Sequence, residues 1–390
     1  MKICAVIAEY NPFHNGHQIQ IDYIKNTLNA QKIIVLMSGN FTQRGEIAVL
    51  DKFTRARHAI NAGADMVIEL PTVFATANAE TFALGAAGLL SSLSVVDGLC
   101  FGVESGTKGS FIELAKAMNN ESKEFKKALK IHLDNGVSLA KAKFNAVKDL
   151  GDERFDPDLV ATPNSILGLE YTKALLKLNS EIEIFPLVRS GDHNDKTLKK
   201  GVTSATSIRE AIKNGDEKKT KKCLPAFVYG DLTRYPDKFE DMIMTALLIT
   251  PAEEIEKIAD CTEGLENRIK ALSKDNLSLE TLIEKISTKR YPATRIKRIL
   301  LSNLLGINRD LIAECLCSPL YLKVLAVNAQ SKDLISLINE KSSVPVLTRK
   351  SDSVLLKKTA LKCFEKDVLA ADLYSLASEK RQNEHQMIIV

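Results

Sequence analysis

Two histidines bracket a glycine in Tyr10-Asn11-Pro12-Phe13-His14-Asn15-Gly16-His17, directly after the apolar run Lys2–Ala8. From His17 onward Ile19, Ile21 and Ile24 recur among polar residues, so the segment reads strand, loop, helix. A helix N-terminus carries unpaired N–H groups and the positive end of the helix dipole, which suits phosphate. Gly16 lets backbone come close to a ligand. Imidazoles at that corner can donate hydrogen bonds to phosphate oxygens as charge builds during transfer. Later in the chain, Thr203-Ser204-Ala205-Thr206-Ser207-Ile208-Arg209 offers hydroxyls able to cap a second helix and a guanidinium able to neutralise phosphate. Alone, the first reads equally well as a helix cap, and the second better as an ordinary cap with an exposed Arg. Together they point to chemistry at a nucleotide phosphate.

The elements that must hold these residues follow from apolar runs. Lys32–Met37, Met66–Leu70 and Val95–Val103 read as buried strands, with a late strand at Glu181–Val188. Helices are expected at Phe53–Ala62, Ala75–Leu93, Ser165–Leu178 and from Ser204, with a Lys-rich helical stretch over Gly109–Asp149. Strands alternating with helices predict an α/β fold with a parallel, Rossmann-like sheet, whose ligands bind beyond the carboxyl ends of the strands. The alternation fades after Gly215. We therefore expect a catalytic domain over 1–215 and a mainly α-helical second domain over 216–390.

Composition narrows the class. In 390 residues, 53 Lys and Arg oppose 49 Asp and Glu, for a net charge of only +4. A nucleic-acid partner would have to be held by local basic patches. Lys285–Arg298 is one, with Arg290, Arg295, Lys297 and Arg298 around Tyr291; it could contact phosphates while the ring stacks on a splayed base. Lys196–Lys222 is another. Seven Cys without a CxxC pair argue against a disulfide framework or zinc ribbon and for reduced thiols in the cytoplasm. The N-terminus turns polar too soon for a signal peptide, and no run is apolar enough for a membrane helix, so no membrane partner is expected.

The His-x-Gly-His loop is the signature of the HxGH nucleotidyltransferase superfamily. AVIAEYNPFHNGH at the N-terminus and SGNFTQRGEIAVLDKFTRARHAINAGADMVIELP (38–71) resemble, more narrowly, the bacterial tRNA(Met) cytidine acetate ligase family. So do FGVESG (101–106), ATPNSILGLEY (161–171), LVRSGDHND (187–195) and RYPATRIKRILL (290–301). The resemblance spans essentially the whole chain. It implies an enzyme that uses ATP and acetate to form acetyl-adenylate, then acetylates N4 of the wobble cytidine of elongator tRNA(Met), without coenzyme A. It also implies a nucleotide loop running through Ile7, Ala8, Glu9, Tyr10, Asn11, Pro12, Phe13, His14, Asn15, Gly16, His17, Gln18, Ile19 and Gln20. Gly102, Asn164, Arg189 and Ser207 would complete the ATP site.

His14, His17 and Arg209 are the expected catalytic groups. Lys52, after the second strand, is a candidate for acetate or phosphate contact, and Asn40, Gln43 and Arg44 of the same loop could serve substrate. Arg55 and Arg57 read as a solvated basic face. No acidic cluster has metal-ligand spacing, so Mg2+ would arrive with ATP. Two other readings share these residues: a small-molecule adenylyltransferase or cytidylyltransferase, which needs no basic helical half, and a non-catalytic tRNA-binding protein with a relict nucleotide fold.

Overall fold

The computed structural model describes residues 2–188, 205–232, 236, 238–275, 278–378 and 381–390. Arg189, Thr203, Ser204 and the first part (196–204) of the basic stretch Lys196–Lys222 lie outside them. One sheet organises the chain. Its strands are β1 (Ile3–Ala8), β2 (Lys32–Ser38), β3 (Met66–Leu70), β4 (Gly98–Val103), β5 (Glu183–Val188), β6 (Leu322–Val327), β7 (Val346–Leu347) and β8 (Ile388–Ile389). The order is β5-β4-β1-β2-β3-β6-β7, with β8 against β6. From β5 to β3 every pairing is parallel; β6 joins β3 antiparallel. The chain leaves β1 toward β2 and β3, then returns to place β4 on the other side of β1. That reversal opens a crevice at the carboxyl ends of β1 and β4.

Period-two alternation gives each strand two apolar faces, as a sheet covered on both sides requires. Ala5, Ile34, Leu36, Ile68 and Leu99 enter one core. Cys4, Val6, Ile33, Val35, Val67 and Cys100 enter the other. On the second face pack α1 (Asn15–Asn26), through Ile21 and Ile24, and α2 (Lys52–Asn61), through Phe53, Ala56, Ala59 and Ile60. The first face takes the helices Ala79–Ser92 and Pro163–Lys177.

Two expectations change in detail. The single helix read over Ala75–Leu93 breaks at Asn78, whose side chain accepts the Thr81 N–H at 3.0 Å and caps a new start. The Lys-rich stretch is three helices, Lys108–Asn119, Lys123–Asp134 and Leu139–Asp149, capped by Thr107, Ser122 and Ser138.

Residues beyond 215 are mainly helical but also supply β6, β7 and β8 to the same sheet. Ile296, Ile299 and Leu300 share a core with Ile34 and Phe74. The second half thus extends the hydrophobic core of the first. The expected helical second half does not include a strand at LKVLAV (322–327); it is a short apolar run, and such runs do not separate strand from buried helix by periodicity.

Candidate active site

β1 ends at Ala8, and the chain turns through Tyr10, whose φ is +47°, to the start of α1. His14 is the N-cap: its Nδ1 accepts the Gly16 N–H at 3.1 Å, while Nδ1 of His17 accepts the His14 N–H at 3.2 Å. The two rings stack, centroids 3.7 Å apart and 18° from parallel. A ring nitrogen that accepts from an amide carries no proton, so each neutral imidazole holds its N–H on Nε2. The capping box therefore fixes both the tautomer and the orientation of the two side chains.

Both histidines line a cleft of about 500 Å³ over the crevice between β1 and β4. Ile7, Ala8, Glu9, Tyr10, Asn11 and Gln20 line it from the first strand, loop and helix; Phe101 and Gly102 come from β4. Asn164 stands at the N-terminus of the Pro163–Lys177 helix and donates from Nδ2 to Glu104 at 2.7 Å. The Glu104 carboxylate also takes the Ser165 N–H at 2.9 Å and the Thr162 hydroxyl at 2.9 Å, which fixes this helix end beside the cleft. Phe82, Phe101 and Tyr171 form an aromatic wall, Tyr171 meeting Phe101 edge-on at 5.7 Å.

The lining also includes cations. Arg209, in the helix Ala205–Lys213, donates to the Asn11 carbonyl at 3.2 Å and lies 3.3 Å from Glu46. Arg44 and Arg298 line the cleft too. Glu46 also binds Lys297 at 2.7 Å. Burial raises the Glu46 pKa, but the Lys297 and Arg209 charges outweigh it and hold the carboxyl below its ordinary value. Glu9 goes the other way. Burial pushes its carboxyl up, against the Gln43 N–H it accepts at 2.8 Å and the charges of Arg209 and Arg44.

The expected nucleotide loop does not all face the cleft. Phe13 is buried in the core beneath, and Pro12, Asn15, Gly16, Gln18 and Ile19 do not line it. Ile19 is half exposed, because a helix presents only one side to a ligand. Ser207 sits one position past Thr206, and it is Ala205 and Thr206 that reach the cleft.

Lys52 requires the plainest correction. It is 1% exposed and its Nζ donates to Glu69 at 2.7 Å and to Glu384 at 2.7 Å, in a buried cluster with Lys323 outside the cleft lining. Arg55 is not on a solvated face either. It is fully buried and donates to the carbonyls of Glu9, Ser38, Gly39 and Leu50, closing the ends of β1 and β2. Arg57 pairs with Asp231 at 2.8 Å.

The basic helix start behaves differently from a free RNA-binding face. In the helix Ala293–Leu305, Lys297 is held by Glu46, and Arg298 turns into the cleft and meets Asp260 at 3.2 Å. Arg295 binds the Asp260 carbonyl at 2.8 Å and packs 4.8 Å from the Tyr291 ring. Arg290, paired with Glu263, is the most exposed of the four, at 57% of its side chain. Thr294 and the aromatic wall were not singled out from the sequence. Their signal is tertiary, since they meet the histidines only through the packing of distant helices.

A parallel sheet with a reversal beside β1, a His-capped helix there and cations in the same cleft is the arrangement of a nucleotidyltransferase. The family model described as HIGH Nucleotidyl Transferase matches residues 1–387. A tRNA(Met) cytidine acetate ligase of Clostridium perfringens is 37% identical over 96% of this chain and 95% of its own length. One from Caldanaerobacter subterraneus subsp. tengcongensis is 39% identical over 97% and 96%. The crystal structure of Thermotoga maritima TmcAL bound with alpha-thio ATP superposes over all of both chains with a TM-score of 0.90 at 29% identity. The chain belongs to the HIGH nucleotidyltransferase family and, within it, to the tRNA(Met) cytidine acetate ligases.

Proposed function

We propose that this protein is an ATP-dependent acetate ligase that acetylates N4 of the wobble cytidine of elongator tRNA(Met), and that the cleft carries out both steps. The observation that carries the reading is the stacked pair His14 and His17 at the start of α1, in one cleft with Arg44, Arg209 and Arg298.

In the first step an acetate oxygen bonds to the α-phosphorus of ATP and the bond to the bridging oxygen breaks, releasing pyrophosphate. Negative charge grows on the α-phosphate and the leaving oxygen. The Nε2–H groups of His14 and His17, at the positive end of the α1 dipole, are oriented in advance to meet it. Arg209 and Arg44 neutralise the β- and γ-phosphates. Gly102 and Asn164, beside the aromatic wall, hold the adenosine. Mg2+ enters with the nucleotide; among the described residues no group of three or more His, Cys, Asp or Glu stands ready to bind a metal.

In the second step the cytosine N4 attacks the acetyl carbon, AMP leaves and the nitrogen loses a proton. No coenzyme A is needed, because the adenylate already carries the activated acyl group. The wobble base lies in a single-stranded loop, so extruding it costs little. Residues 1–215 supply most of this chemistry, and 216–390 supply Arg298 to the cleft and the Arg290–Tyr291 rim to the RNA. Among the described residues no helix is long and apolar enough to cross a membrane, which fits a cytoplasmic enzyme.

The test is to incubate the protein with ATP and labelled acetate, with and without tRNA(Met). Label in the tRNA supports the reading. Pyrophosphate released with label passing to a small acceptor turns it toward a small-molecule adenylyltransferase, and no pyrophosphate release at all removes adenylation from the cleft.

A further inference from the structure

The loop 39–51 joins β2 to α2 and carries Gln43 and Arg44 into the cleft. Its cleft side is fixed by Glu9, which takes the Gln43 N–H, and by Glu46, which binds Arg209 and Lys297. Its far side is fixed by the last ten residues of the chain. Asn40 is 1% exposed; its carbonyl takes the Ala48 N–H at 2.9 Å and closes the loop on itself. The Asn40 side chain faces two ways. Its Oδ1 accepts the Lys52 N–H at 3.2 Å, at the start of α2, and its Nδ2 donates to Oε1 of Gln382 at 3.0 Å.

Two residues further on, Glu384 reaches Nζ of Lys52 and Nζ of Lys323, and both lysines also bind Glu69. All four charges are buried, none more than 5% exposed. Beyond them β8 pairs with β6, so the tail is anchored to the sheet past its contacts with the loop.

We propose that the C-terminal segment 381–386 is a positioning element for the adenylation step. Gln382 acts through Asn40 and Glu384 through Lys52, and together they set the loop that presents Arg44 to the nucleotide. The arrangement leaves little slack. A Cβ on Gly39 would lie 2.4 Å from Oε1 of Glu69, and one on Gly45, where φ is +73°, would lie 2.5 Å from the Lys297 backbone. The loop is therefore seated against rigid groups on both sides, and a missing tail contact becomes a displacement at Arg44. The inference rests on the reading that the cleft takes ATP.

Glu384→Gln leaves two buried lysines facing one carboxylate and can fail to fold, so the informative variant is Gln382→Ala, which removes one neutral hydrogen bond. The experiment is a double-mutant cycle in acetate-dependent ATP–pyrophosphate exchange, using Gln382→Ala, Arg44→Ala and the pair, with His14→Ala as a separate control. Gln382→Ala should lower kcat/KM for ATP by about 10-fold to 100-fold, the usual effect of misplacing a positioned group. Its midpoint of thermal unfolding and its affinity for tRNA should stay near those of the parent. Because the tail acts through Arg44, the pair should be no slower than Arg44→Ala alone.

Losses that multiply in the pair overturn the proposal, as does a parental rate for Gln382→Ala or for Arg44→Ala. Unchanged nucleotide binding and exchange in His14→Ala would instead defeat the ATP reading itself, so the two failures are distinguishable.

Discussion

In the proposed mechanism His14 has two tasks at two ring atoms, and one substitution separates them. Its Nδ1 caps α1 by accepting the Gly16 N–H, while Nε2 carries the proton that the proposal offers to the α-phosphate. In His14→Asn the amide oxygen falls near the position of Nδ1, and Asn is among the best N-cap residues. The cap survives, but nothing replaces the donor at Nε2. In His14→Ala both are lost. A lost cap costs about 1 kcal/mol, which in a chain of this size moves the unfolding midpoint by about 2 °C or less. A lost donor to developing phosphate charge costs about 3 kcal/mol of transition-state stabilisation, or about 100-fold to 1,000-fold in kcat. Acetate-dependent ATP–pyrophosphate exchange and thermal unfolding should therefore part company. His14→Asn keeps the parental midpoint and loses exchange, and His14→Ala loses exchange to the same degree with a slightly lower midpoint. If His14→Asn exchanges at the parental rate, the ring is a cap and nothing more. If exchange follows stability across both variants, the loss is structural and the donor role is wrong.

Gly168 lies in the Pro163–Lys177 helix, where an added Cβ would approach Phe101 to 2.5 Å and Phe111 to 3.2 Å. Gly168→Ala should press Phe101 toward the cleft and weaken ATP binding by about fivefold, equivalent to about 1 kcal/mol, as titration calorimetry would detect. Glu46 has a lowered pKa in the folded state, so it binds fewer protons there than in the unfolded chain. Its stabilising contribution is complete above the ordinary carboxylate value of about 4.3 and is lost as pH falls through the lowered folded value. Denaturant unfolding from pH 6 down to pH 3 should therefore show the parent losing more stability than Glu46→Gln; equal losses would mean that Lys297 and Arg209 do not hold this carboxylate.

How far the sequence could be read depended on the range of the interactions involved. The His-x-Gly-His corner was legible because strand, loop, cap and helix are consecutive, and the chemistry of a helix N-terminus is local. β1 to β5 were legible because each is a short apolar run bounded by turn residues, and the alternation with helices dictates a parallel sheet. Ser207 and Ile19 show the limit of such reading: a contiguous motif names neighbours in sequence, while helix geometry decides which of them face the ligand.

Lys52, Arg55, Lys297 and Arg298 are all cations in strongly basic segments, and sequence alone gave no means of telling their fates apart. Only the tertiary structure decided that Lys52 is buried against Glu69 and Glu384, that Arg55 closes strand ends, that Lys297 clasps Glu46 and that Arg298 enters the cleft. Burial of a charge requires a partner that desolvation makes obligatory, and here those partners lie as many as 332 positions away along the chain. The sequence by itself determined the His-x-Gly-His corner and the parallel sheet beneath it, since both are written in residues close together. The folded chain decided the walls of the cleft, the joining of the helical half to the same sheet and the anchoring of its loop by the C-terminal tail, because those depend on contacts that no local pattern encodes.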